Sequence, residues 1–383
     1  MQKLEEIFHR FVDFFGCAVV NAFLSNSCNA IRALLRGLLE HGLVSWEYSC
    51  AAHPLNNFCE EIISLPEFKS GLRRGLSLSK GIKNKGMARK ISRVLLLELY
   101  GKEYDMVLYS ESRWSSVEYM FLRLKKVNLA ITRLLSCVMN KKGEHDIDET
   151  YDLPSDMDAI SIDPMLWKGV DRCIAVFDPI FKCLGILESN TSKMETAYAA
   201  FIYVYVHITK VVGEEDVRYH MMSKLLYRWN HIYSPVHALA FFCDPFFYNF
   251  CIRVGKVEGG AAIDIGKGKL KQKFRHALQI ISRLEEYPKT AHTALLGSFM
   301  CHSVTEKQSV ESPKIILAYQ PATIWVQAHI AQNDVLASVL IKVYSGPGSY
   351  ADVERQNKTG KRVHTAQRNH TGGGKVERQV AVE

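Results

Sequence analysis

Cys50-Ala51-Ala52-His53 sets a thiol and an imidazole three residues apart. A zinc ion needs two further ligands at a defined spacing, and the chain offers none. A cysteine-protease arrangement fails for a related reason: His53 lies too near Cys50 in sequence, and no residue is evident to orient it. Taken alone, the pair reads as structural. Asp146, Asp148 and Asp152 form an acidic run with some likeness to a calcium loop. Counted from Asp146, however, the sixth and twelfth positions are Tyr151 and Met157, where that loop needs Gly and Glu. His145 beside them has no second ligand at metal spacing, so the run reads as a solvated linker. Residues 259–269 (GGAAIDIGKGK) have the glycines of a phosphate loop. Gly268-Lys269 is followed by Leu270, though, where the magnesium-holding hydroxyl should stand, and no strand precedes it. A loop between helices is the expected structure. No metal site is expected from these residues.

The basic stretches carry more information. Nine cations and no acid lie between Glu67 and Glu98, and seven cations against Glu377 alone lie between Arg355 and Arg378. The candidate phosphate contacts in the first are Arg73, Arg74, Lys83, Lys85, Arg89 and Lys90. In the second they are Lys361, Arg362 and Arg368. Such runs are often solvated faces, yet two of them flanking one core would suit a polyanion, whose affinity comes from counterion release. The net charge of +8 permits that partner without requiring it.

The elements that must position these residues follow from periodicity. Val19 to Leu24 is a short β-branched run that predicts a buried strand ending in a turn. Trp46 to Ala52 predicts a second strand, leading into a helix from Pro54 to Ile63. Met106 to Tyr109 predicts a third. From Ser116 the pattern changes. Val117, Met120, Phe121, Leu124, Val127, Ile131, Leu134, Leu135 and Val138 recur at steps of three and four, one face of a long helix. An acidic connector, 144–163, contains eight acids and Pro154. Helices are then expected over 165–189, 192–212, 214–243, 269–286 and 290–303. The apolar run Ala337 to Tyr344 stops at Gly346-Pro347-Gly348, and a basic polar tail follows.

A chain of 383 residues with 48% apolar and 23% charged composition is globular and large enough for two or three units. Ten cysteines without any CxxC pair read as reduced, buried thiols of the cytosol or nucleus. The most apolar stretch, Ala197 to Val212, carries Tyr198, Tyr203, Tyr205 and His207. It predicts a buried helix and not a bilayer span, so no membrane partner is expected.

Five segments, in order, resemble hAT-type DNA transposases. VVNAFLSNSCNAIRALLRGLLE near the start resembles the segment in which a strand ends in Thr-Asp-Asn-x-x-Asn. SCAAHPLNNFCEEI resembles the Cys-x-x-His element, and Ser112-Arg113-Trp114-Ser115-Ser116 resembles Thr-Arg-Trp-x-Ser before a long helix. LYRWNHIYSPVHALAFFCDPFF resembles a helix, Pro, His and Asp-Pro segment. Residues 349–382 resemble the carboxy-terminal dimerisation segment with its Ser-x-x-x-Glu-Arg.

The resemblance implies an RNase H-like α/β core interrupted by a large all-α insertion, helix-rich as a whole. The implied domains are a partial core over 1–115, an all-α insertion over 116–312, and a return to the core with the dimerisation segment over 313–383. The family cuts and joins DNA with acidic residues that hold two divalent ions roughly 4 Å apart. The departures bear directly on that chemistry. The first catalytic Asp of the family would fall before Met1. Asn26 stands where the second belongs, and an amide brings no charge to a two-metal site. Glu354 aligns with the catalytic Glu as a remnant. The Ser-Phe-Ser expected after it reads Gln356-Asn357-Lys358, and Arg-Asn-Arg-Leu reads Arg368-Asn369-His370-Thr371.

Cys50 and His53 are, by resemblance, structural residues near the site. Arg113 and Trp114 are candidate DNA contacts; Trp114 could stack on a base or anchor the first insertion helix in the core. The expected protein is a nuclear, transposase-derived DNA binder that dimerises with itself or a related transposase, without catalysis and without a cofactor. One alternative is an active magnesium-dependent transposase whose frame extends upstream of Met1. Another is a decayed relic.

Overall fold

The computed structural model describes residues 22–25, 46–84, 86–109, 115–141, 164–189, 192–244 and 335–348, with the single positions 6 and 37. Helices dominate these residues; strand is confined to β1 (Ala22–Ser25) and β2 (Trp46–Ser49). The helices are α1 (Ala52–Ile63), α2 (Pro66–Asn84), α3 (Gly86–Tyr100), α4 (Ser115–Lys126), α5 (Asn128–Lys141) and α6 (Pro164–Leu187). They continue with α7 (Met194–Val211), α8 (Glu215–Ile232), α9 (Pro235–Cys243) and α10 (Val335–Ser345). No helix among the described residues is long and apolar enough to cross a membrane. The expected helices at 269–286 and 290–303 and the acidic connector lie outside the described residues.

The chain forms two compact units, residues 1–55, 186–206 and 225–383 in one and residues 56–185 and 207–224 in the other. In the first, β1 and β2 pair in parallel, in register from Ala22 opposite Trp46 to Ser25 opposite Ser49. Parallel strands cannot be joined by a tight hairpin, and residues 26–45 are long enough for the crossover the geometry needs. After β2 the chain stays inside, with Cys50, Ala51 and Ala52 all buried.

The expected single helix over 214–243 is two helices, because Pro235 has no amide proton and its ring clashes with the preceding turn. Proline instead takes the first position of α9, where a missing N–H costs nothing. The Ser234 amide, left without a helical acceptor, donates to His237 Nδ1 at 3.1 Å. That is the reciprocal half of a capping box, with histidine in the usual Glu or Gln place. Helix α10 packs on α9, and Tyr344 donates its hydroxyl to the Ala240 carbonyl at 2.8 Å.

The Gly346-Pro347-Gly348 turn then ties three distant segments together. The Gly348 amide donates to Ser192 O at 2.8 Å, Lys193 and Pro347 form an isolated antiparallel bridge, and the Ala51 amide reaches Gly348 O at 3.5 Å. A Cβ at Gly348 would stand 2.5 Å from the Lys193 carbonyl oxygen, which is backbone and cannot swing aside. Glycine is therefore required by close approach rather than by its dihedral freedom.

The second unit is helical. The stripe expected from Val117 onward is buried at Val117, Met120, Phe121, Leu124, Val127, Ile131 and Leu134. It is carried by α4 and α5, which meet at Val127 with the helical hydrogen-bond spacing preserved: Val127 N to Arg123 O and Ile131 N to Val127 O, both 3.0 Å. Helix α2 packs on α4, and α3 on α5, so this unit runs across residue 115. Helices α2 and α6 cross where two glycines face each other. A Cβ on Gly71 would stand 3.3 Å from Cys173 Sγ, and one on Gly169 would stand 3.6 Å from Gly71 Cα.

Pro179 lies inside α6 and leaves the Ala175 carbonyl, four residues earlier, without its helical donor. His207 of α7 repairs this, its Nε2 lying 3.0 Å from Ala175 O and 3.2 Å from Val176 O. That contact sets the proton on Nε2. The third strand expected at Met106 to Tyr109 is absent: residues 103–109 are irregular, with Met106 buried. Arg123 donates to the Asp105 carbonyl, so a side chain does there what a strand partner would have done. A four-residue apolar run does not by itself fix a ladder.

Candidate functional site

In α/β folds, ligand sites form at the carboxy ends of parallel strands. Here that end is Ser25 opposite Ser49, followed at once by Cys50 and Ala51, and Ala51 is the residue bonded to Gly348. The strand that leads to Asn26 and the turn that leads towards Glu354 thus both adjoin Ser49–Ala51. Asn26 and Glu354 themselves lie outside the described residues. The Cys50 thiol is buried, whereas His53 in the first turn of α1 is exposed, so the two are not turned to one common ligand. Among the described residues no three His, Cys, Asp or Glu side chains gather as a metal site.

The same unit buries the histidine of the Pro, His and Asp-Pro segment, to which the sequence assigned no role. His237 is fully buried. Because Nδ1 accepts the Ser234 amide, the ring proton sits on Nε2. Tyr48 approaches edge-on at 5.9 Å between centroids, and Trp229 at 5.6 Å. Burial pushes the His237 pKa down to about 4. Glu195, in the first turn of α7, is also buried. Its carboxyl is pushed up to about 8, chiefly by burial, against its own backbone amide, with Asp244 nearby adding to the rise and Lys193 opposing it. Burial likewise raises the Tyr48 phenol. At neutral pH Glu195 is therefore a protonated acid and His237 a neutral imidazole set among aromatic rings. Both groups are shut away from the solvent access that catalysis needs, and His237 ties Tyr48 of β2 and Trp229 of α8 to α9. The Ser234-Pro235-x-His237 spacing was the available signal.

In the second unit, α2 exposes Lys69, Arg73, Lys80 and Lys83 and half-buries Arg74. The first four are spaced i, i+4, i+11 and i+14, which at 100° per residue puts them on one stripe about 21 Å long. Phe68, Leu72, Leu78 and Ile82 are buried on the other side. The amino-terminal end of the stripe opens into a cleft of about 450 Å³ lined by Ser64, Pro66, Lys69, Ser70, Arg73 and Arg74. Among the described residues none of the four stripe cations has an acidic partner within ion-pair distance. Arg93, by contrast, is engaged by Glu103 at 3.3 Å and Asp105 at 3.8 Å. Of the other candidates, Arg89 and Lys90 lie on α3, but their side chains are outside the described residues. So are Lys85, Arg113, Trp114, Lys361, Arg362 and Arg368. No protein-family model matches the chain, and no curated protein matches it.

Proposed function

We propose that the chain is a transposase-derived protein that binds duplex DNA and dimerises, without cleaving DNA, on an RNase H-like core interrupted by helices. The observation that carries the reading is the α2 stripe, Lys69, Arg73, Lys80 and Lys83, four exposed cations in line without acids among the described residues. A row of this length matches successive phosphates of a groove wall, and its affinity derives from released counterions. The motif resemblance supports the family reading, and the parallel strand pair is compatible with the core. Dimerisation, with itself or a relative, belongs to the segment after Gly348, and the nucleus is the compartment where such a protein meets its ligand.

The test is fluorescence anisotropy of the full chain on a labelled duplex over a salt series. Reversing the four stripe cations to glutamate is expected to weaken binding at least about 100-fold and to lower the slope of log affinity against log salt by about 3 to 4. Unchanged affinity and slope would remove the DNA reading.

A second reading, a metal-dependent transposase, is favoured by the way Ser25 and Gly348 both adjoin Ser49–Ala51. The donor chemistry speaks against it, since Asn26 supplies an amide where a carboxylate is needed. The expected result is that supercoiled DNA stays intact with magnesium present, with Glu354→Gln behaving as the parent. Nicking that disappears in Glu354→Gln would establish the enzyme instead.

A further inference from the structure

Tyr104, in the irregular stretch after α3, gathers three cations around one ring. Lys126 Nζ lies 4.4 Å from the ring centroid, the Arg123 guanidinium carbon 5.2 Å, and Lys102 Nζ 5.9 Å. Like charges held this close repel one another, and each cation–ring contact at a solvent-facing position offsets only about 0.5–1 kcal/mol. Arg123 also donates to the Asp105 carbonyl, while the carboxylates of the neighbourhood are directed elsewhere. Glu103 and Asp105 reach Arg93, Glu118 meets Asp178, and Asp171 takes Lys125 at 2.8 Å. Among the described residues, the charges on Tyr104 are thus balanced by no carboxylate of their own, and an anion from outside would complete the cluster.

Helix geometry extends the cluster into a surface. Tyr119, Arg123 and Lys126 are spaced i, i+4 and i+7, so they share one face of α4. Met120, Phe121 and Leu124, which are buried, occupy the opposite face. Tyr119 is 59% exposed, a large uncovered aromatic residue at one end of a cationic row. A phosphate alone would use the cations and leave this ring idle. A duplex hides its base faces within the stack. An unpaired strand offers both a phosphate run and a free π-face, and a free aromatic beside backbone-tracking cations is how such strands are held.

We infer that the Tyr119–Arg123–Lys126 face of α4, with Tyr104 and Lys102, is a binding site for single-stranded nucleic acid. The site is separate from the duplex-binding stripe on α2, because α4 turns its buried face, and not this one, towards α2.

The experiment uses the full chain with a labelled oligothymidylate and a blunt labelled duplex of equal length. Tyr119→Ala is expected to weaken the oligothymidylate about 5- to 150-fold, the value of one stacked base, and to leave the duplex within about twofold. Tyr119→Trp should restore binding, since it keeps the platform, and Lys126→Glu should weaken the single strand with a smaller salt slope. An unchanged thermal melt identifies variants that remain folded; Tyr119 is exposed enough for this to hold. Equal losses on both probes, or no loss on either, overturn the proposal. So does equal competition by a phosphopeptide, which would mark a general anion seat. If duplex binding ignores the α2 reversal while oligothymidylate binding still follows Tyr119, the proposed duplex function fails and this site stands. The opposite pattern fails this site and leaves the duplex reading intact.

Discussion

Trp229→Ala is expected to destabilise the first unit by about 3–5 kcal/mol, the usual cost of emptying a large aromatic site in a packed core. The indole is only 8% exposed. Tyr198 meets it edge-on at 5.0 Å between centroids, Phe201 lies at 4.9 Å, His237 at 5.6 Å and Tyr233 at 5.7 Å. Tyr198 in turn stacks on Phe241 at 4.7 Å. Aromatic pairs in such arrangements add about 0.5–1.5 kcal/mol each beyond the area they bury, so the loss is spread over several partners. Trp229→Phe keeps part of the contact and should lose less than half as much. Urea unfolding followed by near-ultraviolet circular dichroism measures both. A loss below about 1 kcal/mol for the alanine variant would mean that the indole is not part of a packed core. The same cavity would admit water to His237, so in the alanine variant its pKa should climb back towards 6.5.

The second large effect is an inverted pH dependence set by Glu195. Its folded pKa is raised from 4.5 to about 8, so between those values the folded chain holds a proton that the unfolded chain has released. Stability therefore falls as pH rises through that window. His237 acts in the other sense. Its pKa is lowered from 6.5 to about 4, so its contribution is complete above 6.5 and is lost as pH falls from 6.5 towards 4. Between 4.5 and 6.5 the two contributions oppose and nearly cancel. From pH 6.5 to 8 the decline set by Glu195 is no longer opposed by His237, and about 2 kcal/mol is lost. Glu118, raised to about 7 first by burial and then by Asp178, adds a smaller fall of the same sign. The charged groups that act on Glu195 are Asp244 and Lys193, and neither reverses the sign. Glu195→Gln, neutral at every pH, should remove most of the decline and leave the variant more stable than the parent at pH 8. Urea midpoints at pH 6.5 and 8 for both proteins decide the matter. A parent that gains stability over that interval would show Glu195 ionised in the folded state.

Much of the helical layer was legible in the order of residues alone. The stripe from Val117 to Leu134 announced itself by spacing, and so did the paired strand signals at Ala22 and Trp46. The α2 cations were legible as a run; the 3.6-residue period then put Lys69, Arg73, Lys80 and Lys83 in line and set Arg74 off to the side. Where the reading failed, it failed in the type of one short apolar segment and in the continuity of one long helix. Met106 to Tyr109 had the composition of a strand, but an arginine from α4 took up the Asp105 carbonyl. Residues 214–243 had the composition of one helix, and the proline at 235 cut it.

By itself the sequence determined which faces are apolar, where helices begin and stop, and that no metal or phosphate-loop motif is complete. These are properties of near neighbours, fixed by backbone sterics and side-chain spacing within a few turns. Only the tertiary structure decided that Gly348 lies against Ser192 and Ala51, that His207 serves the carbonyl freed by Pro179, and that Glu195 is shut in with Asp244. The same holds for the three cations that meet on Tyr104. Each of these pairs residues far apart in the chain, and whether such residues meet depends on how every intervening element packs. No local pattern encodes that sum, because the free energy that selects it is shared among contacts across the whole unit.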